Sequence, residues 1–367
     1  MNAKVRPLYV VLKALCLFVL INSAYALLDP HVAAISAYNK YFPGRLRMPF
    51  GEDLEAYTLT VENVDTLFAA HAISREKEPN EIRVALVGDS AIWGDNLSVS
   101  ETLSEQWNQF GFQCGGKVIK VYNLGYPHPS VIKDLLFLDK TMENEPDLVI
   151  WFITLNTLNQ YRLSPLLTEN RERTINILDT YGVSFGPKKA LVETRESFYQ
   201  KTLVGQRSFL ARLIKLQFLG MLWSATAKDS YGVPDPEDVI SPDVKKDVHY
   251  RGMAPGSDLG QVILLDALAA GHEIIYAIPT LLVNEPIYAA TGANSDLRYN
   301  DLYPRWAYDQ YREVIAAQAK NFSWNYLDLW DVIPPEYFSN TPLHLTAHGE
   351  LLLIEQLNPV VYSLACP

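Results

Sequence analysis

Short apolar runs alternate with helical stretches along most of this chain, and that rhythm predicts a sheet flanked by helices. Ile82–Val87, Lys117–Leu124, Leu148–Thr154, Glu273–Ile278 and Ser323–Leu327 read as strands. Helical patterns lie near 99–111, over Val131–Asn144, at about 304–320 and from about 347 to 357. The Leu148–Thr154 run is almost wholly apolar, as a strand covered on both faces requires. Strand–helix alternation of this kind predicts a parallel sheet with helices on both faces. With 367 residues, 49% of them apolar, the chain has ample material for such a core.

Two regions break the rhythm. Residues 29–80 carry helical patterns around 30–40 and 62–74, with turn signals at Pro43-Gly44 and Pro49-Phe50-Gly51. They read as a stalk or lid before a catalytic domain spanning 81–367. Residues at about 160–260 read as a helical insertion between the third and fourth strands, with Pro234, Pro236, Pro242 and Pro255 near its end. Inside it, Arg207 to Lys228 carries Arg207, Arg212, Lys215 and Lys228 among many apolar residues and no acidic one. Such a helix lies on a membrane surface or, as the commoner fate, packs on the core.

At the N-terminus, Lys4 and Arg6 precede an apolar run from Pro7 to Leu28, interrupted by Lys13. Residues 1–28 read as a signal peptide with Ala24-Tyr25-Ala26 as its cleavage site, or as an uncleaved anchor, since roughly 20 apolar residues span a bilayer. A buried helix is the plainer alternative. The positive flank stays cytoplasmic, so the expected location is membrane-anchored with the rest of the chain extracytoplasmic, or secreted if the segment is cleaved. The formal net charge of -11 argues against a nucleic-acid partner. Cys16, Cys114 and Cys366 have no metal-ligand spacing; Cys114 and Cys366 could pair in an oxidising compartment, but the favoured expectation is that they are unpaired and buried.

The chemistry-bearing residues fall at strand ends. Gly88-Asp89-Ser90 follows the first strand, where ligands of open parallel sheets bind. A serine hydroxyl needs a neighbouring base to act as a nucleophile. Alone, this tripeptide is equally a helix N-cap. Gly125 follows the second strand and offers an unobstructed backbone N–H, and Asn156 follows the third and offers a side-chain amide, both suited to an oxyanion. His344, in Thr341-Pro342-Leu343-His344-Leu345-Thr346, precedes the last helix and is the candidate general base, with His348 as competitor.

Together these residues resemble the SGNH, or GDSL, hydrolase family. Gly88-Asp89-Ser90 matches its first block, Gly125 the second, Asn156 the third and His344 the last, in order over residues 84–349. The resemblance implies a flavodoxin-like three-layer α/β/α sandwich with a central parallel sheet, Ser90 as nucleophile, His344 as base, and an oxyanion hole of the Ser90 and Gly125 N–H groups with the Asn156 side chain. It implies no cofactor and no metal. The chain departs from the family where Thr154 and Thr157 flank Asn156, and where Thr341 stands in place of the aspartate three residues before the histidine. Asn340, Thr341, Asp328 and Asp331 are then the candidates to support His344.

The N-terminal segment, the stretch from Tyr41 to Leu67 and the insertion are similar to membrane-anchored bacterial relatives that move or remove O-acyl groups on cell-surface polysaccharides. The expected partners are therefore an ester or O-acylated carbohydrate substrate, the membrane, and a membrane acyl-transfer partner. Asp89 and Glu285 are candidate substrate-lining residues, Glu285 alternatively capping a helix. Arg305 and Trp306 belong to an aromatic-rich stretch that stacks on sugars or packs. Hydrolase and transferase share the first half-reaction and are not separated by these residues. A non-catalytic protein that binds glycan or a membrane partner is the rival reading. A nucleotide binder is disfavoured because no G-x-G-x-x-G follows the first strand.

Overall fold

The computed structural model describes residues 6–158, 163–193, 197–226, 228 and 240–366. Among them the strands are β1 (Glu81–Val87), β2 (Gln113–Cys114), β3 (Lys117–Asn123), β4 (Leu148–Ile153), β5 (Thr280–Asn284) and β6 (Asn325–Asp328). They form one sheet in the order β2-β3-β1-β4-β5-β6. All pairs are parallel except the short edge pair of β2 with β3. Apart from that edge ribbon, the second parallel strand lies outside the first and the rest follow in order, which is the flavodoxin-like doubly wound arrangement.

The α-helices are α1 (Pro7–Leu28), α2 (Ala37–Tyr41), α3 (Val64–Ala70), α4 (Ser90–Trp93), α5 (Leu103–Gln109), α6 (Val131–Met142), α7 (Pro165–Glu169), α8 (Arg171–Thr180), α9 (Lys188–Glu193), α10 (Phe198–Lys201), α11 (Arg207–Thr226), α12 (Leu265–Ile274), α13 (Arg305–Asn321) and α14 (Ala347–Ala365). Every residue of β1 and β4 is buried. Their side chains alternate, as the twofold repeat of a strand dictates. Ala85, Val87, Val149, Trp151 and Ile153 enter one apolar layer with α3, α6, α8, α12 and α13. Val84, Leu86, Leu148, Ile150 and Phe152 enter the other with α5 and α14.

Several expectations change. The fourth strand is Thr280–Asn284, not Glu273–Ile278, because α12 runs on to Ile274. That helix lies directly on the sheet: a Cβ on Gly271 would come 2.4 Å from the Trp151 ring, so the apolar residues there are a helix face. Residues 29–80 are no separate stalk, since Tyr38, Met48, Leu59 and Val61 sit in the first apolar layer. The last helix extends through Pro359 to Ala365. Cys114 and Cys366 are not unpaired: they form a disulfide with Cα atoms 5.7 Å apart, tying β2 to the end of α14. The insertion supplies α7 to α11, and Pro234 and Pro236 lie outside the described residues.

Candidate active site

The turn after β1 is tight because Gly88 has no side chain. A Cβ there would lie 2.5 Å from Ile92 Cγ1. Asp89 caps α4, its Oδ1 accepting the Ala91 N–H at 3.0 Å. Lys133, fully buried on α6, donates to the Gly88 carbonyl at 2.6 Å and pairs with Asp134 at 2.6 Å. This leaves Ser90 at the first position of α4.

His344 arrives from the other end of the chain. The Thr341 hydroxyl and carbonyl oxygens each accept the His344 N–H at 3.3 Å, and Thr346 caps α14 by accepting the Gly349 N–H at 3.2 Å. Ser90 Oγ and His344 Nε2 are 2.9 Å apart. On the far side of the ring, Nδ1 faces Asn340 Oδ1 at 3.3 Å and Asp95 Oδ2 at 3.5 Å. Burial pushes the His344 pKa below the ordinary histidine value, against the pull of Asp95 and Asp89. The imidazole is thus neutral near neutral pH, as a proton acceptor must be.

Asp95 was not among the residues singled out above. It follows Gly94, whose φ of 82° turns the chain back after α4, and its N–H donates to the Ser90 carbonyl at 3.1 Å. The available signal was the second Gly-Asp pair, Gly94-Asp95, just beyond Ser90. Of the other candidates for this position, Asp328 is committed to Asn284 at 2.7 Å and to Arg312 at 2.8 Å. Asp331 is exposed, and Thr341 holds backbone rather than the ring. His348 is exposed and packs on Tyr337.

The donors expected around Ser90 differ in readiness. The Ser90 N–H has no protein acceptor among the described residues. Asn156 Oδ1 accepts from Arg251 at 2.9 Å, which leaves its amide N–H groups for another acceptor. Gly125 abuts α4, where a Cβ would lie 2.3 Å from the Trp93 nitrogen. Its N–H, however, already donates to Asn123 Oδ1 at 3.0 Å.

Of the residues expected to line the substrate cleft, Asp89, Arg305 and Trp306 are otherwise occupied. Asp89 is a buried cap. Arg305 donates to the Ser295 carbonyl at 2.6 Å and Trp306 to the Val248 carbonyl at 2.7 Å, so both pack. Glu285 is buried with neither carboxylate oxygen bonded and no helix beginning beside it, and burial raises its pKa well above the carboxylate range.

The chain resembles the SGNH hydrolases. No family model and no curated protein sequence matches it. Solved structures to which it is similar include a member of the lipolytic G-D-S-L family from Veillonella parvula, at 10% identity and TM-score 0.36, covering 76% of this chain and 97% of that one. Another is a carbohydrate acetylesterase family member from Sinorhizobium meliloti, at 12% identity and TM-score 0.34, covering 77% and 99%. A third is a lipase/acylhydrolase from Enterococcus faecalis, at 13% identity and TM-score 0.35, covering 77% and 96%. At such scores the chemistry of this chain rests on its own residues.

Proposed function

We propose that this protein is a serine-dependent ester hydrolase or O-acyltransferase of the SGNH type. The observation that carries the reading is the 2.9 Å approach of Ser90 Oγ to His344 Nε2, from residues far apart in sequence. Ser90 Oγ attacks the ester carbonyl carbon while its proton passes to His344 Nε2. The oxyanion so formed is held by the Ser90 N–H and the Asn156 amide, and Gly125 joins them once Asn123 releases its N–H. Collapse breaks the bond to the leaving alkoxide, which takes the proton back from His344. Water or a second alcohol then attacks the acyl carbon as its proton passes to His344 Nε2, and the bond to Ser90 Oγ breaks as Oγ takes that proton back. Asp95 stabilises the imidazolium at Nδ1, where Asn340 helps to orient the ring.

The proposed substrate is an O-acylated carbohydrate at a cell surface. The described helix α1 is long and apolar enough to cross a membrane. Asn22 Oδ1 accepts the Val204 N–H at 3.1 Å and Tyr25 donates to Gln206 at 3.1 Å. These bonds, made from around Ala24-Tyr25-Ala26 to the folded body, support a retained anchor over a cleaved signal peptide. The Cys114–Cys366 disulfide is in keeping with an oxidising, extracytoplasmic location.

The test is release of acetate from p-nitrophenyl acetate and from an acetylated oligosaccharide, with and without an unacetylated acceptor. Turnover lost in Ser90→Ala is the expected result, and transfer to the acceptor marks the transferase. The occupied Gly125 N–H favours the rival, a non-catalytic protein of the same fold that binds glycan or a membrane partner. Glycan binding with no turnover on any ester is its signature.

A further inference from the structure

Helix α11 is apolar on two sides. Leu216, Leu219, Gly220 and Trp223 are buried, and a Cβ on Gly220 would lie 2.3 Å from the Tyr38 ring of α2. On its outer side Ile214, Phe218, Met221 and Leu222 are exposed, Phe218 by 61%. One side of the stretch therefore packs on the core, as one of the two expectations had it, and the other side is exposed. A helix apolar all round belongs in a core or in lipid, and no described residue covers the outer side.

The position of α1 indicates what does. Its 22 residues rise about 33 Å, enough for a hydrocarbon layer of about 30 Å. A span of roughly 20 residues counted from Pro7 ends near Ala26. The body already grips α1 within that span, at Asn22, and again at Tyr25. Gln206, the partner of Tyr25, immediately precedes α11. The start of α11 therefore sits at the depth of the lipid headgroups.

Other exposed apolar groups lie on elements that pack on α1 and α11. Phe198 and Tyr199 project from α10, which packs on α1. Ile35 and Phe42 flank α2, which Gln217 of α11 holds by accepting the Ala37 N–H at 2.7 Å. The charged residues of α11 are Arg207, Arg212 and Lys215. Arg207 pairs with no carboxylate among the described residues, while Arg212 and Lys215 share Glu52 at 3.0 and 3.9 Å. Arg207 is thus left without a described carboxylate at the end of α11 nearest the lipid headgroups, where a positive charge suits an anionic bilayer surface.

We infer that the outer face of α11 is an in-plane membrane-docking surface, which seats the folded body on anionic phospholipid beside its own anchor. The inference rests on the proposed anchor role of α1. The test uses the full chain with Cys16→Ser and Phe218→Cys, labelled with an environment-sensitive fluorophore in vesicles of phosphatidylcholine and phosphatidylglycerol. Ile214→Cys provides a second site on the same face. Glu355→Cys, exposed on α14 in the opposite layer, is the control. Flotation with the vesicles, a blue shift and quenching by shallow spin-labelled lipid at 218 and 214, and no quenching at 355 are expected. A chain that floats while the labels at 218 and 214 stay as unquenched as at 355 overturns this inference alone, and points to a protein cover or to solvent. A chain that does not float overturns the anchor with it.

Discussion

At Nδ1 of His344 two acceptors compete, a neutral amide at 3.3 Å and a carboxylate at 3.5 Å. Only the carboxylate stabilises charge on the ring. Asp95→Asn is therefore expected to lower kcat on the order of a hundredfold, and Asn340→Ala much less. The pH profile separates this from a structural defect. Because burial depresses the His344 pKa, the acid limb of kcat/KM in the wild type falls below about 6.5. Asp95 raises that pKa, so Asp95→Asn moves the limb lower still. Glu350 offers a second titration. It is fully buried near the start of α14, and burial alone raises its pKa from 4.5 to about 8. A carboxyl that holds its proton more tightly when folded stabilises fully below about 4.5, and that stability drains away as pH rises through about 8. Thermal melts of Glu350→Gln are expected to exceed the wild type at pH 8 and to match it at pH 4.5. At this scale the sequence pointed to Ser90 and His344 as candidates through their places at a strand end and before a helix, and the two side chains do meet. It did not show Asp95, because the ring reaches that carboxylate through a loop reversal at Gly94 that no spacing rule encodes.

Among the elements, the loop after α4 is held from outside. Arg47, buried in the segment before β1, donates to the Gly94 carbonyl at 3.0 Å and to the Leu97 carbonyl at 3.2 Å, and its guanidinium lies 4.0 Å from the Trp93 ring centroid. The N-terminal segment thus fixes the loop that carries Asp95. Arg47→Met is expected to lower kcat by roughly tenfold to a hundredfold, the scale that misplacement of a supporting group produces, with KM little changed. Steady-state kinetics on p-nitrophenyl acetate check this, and a near-wild-type far-ultraviolet circular dichroism spectrum excludes unfolding. Strands β1 and β4 were legible because every residue in them is buried and their apolar runs are dense, whereas β3, with Lys117 and Lys120 exposed, was legible from the alternation of its apolar residues. The misplaced fourth strand shows where that logic fails. The run from Ile274 to Ile278 is apolar enough to pass for a strand, but α12 extends to Ile274 and packs on the sheet where Gly271 meets Trp151.

For the whole molecule, the chain closes on itself twice: His344 meets Ser90, and Cys366 meets Cys114. The second closure was not legible, since two cysteines separated by 252 residues give no local pattern. Long-loop disulfides stabilise by about 2–4 kcal/mol, so Cys366→Ser is expected to lower Tm measurably in oxidising buffer, and reductant should bring the wild type down to the same value. The central claim remains that Ser90 is a nucleophile activated by His344. Its most direct test is a fluorophosphonate probe on the full chain, with the adduct mapped by peptide mass. A single adduct on the peptide containing Ser90, abolished in Ser90→Ala and strongly slowed in His344→Ala, is the expected result. A wild-type chain that is folded yet takes up no probe, or carries it on another serine, contradicts the account.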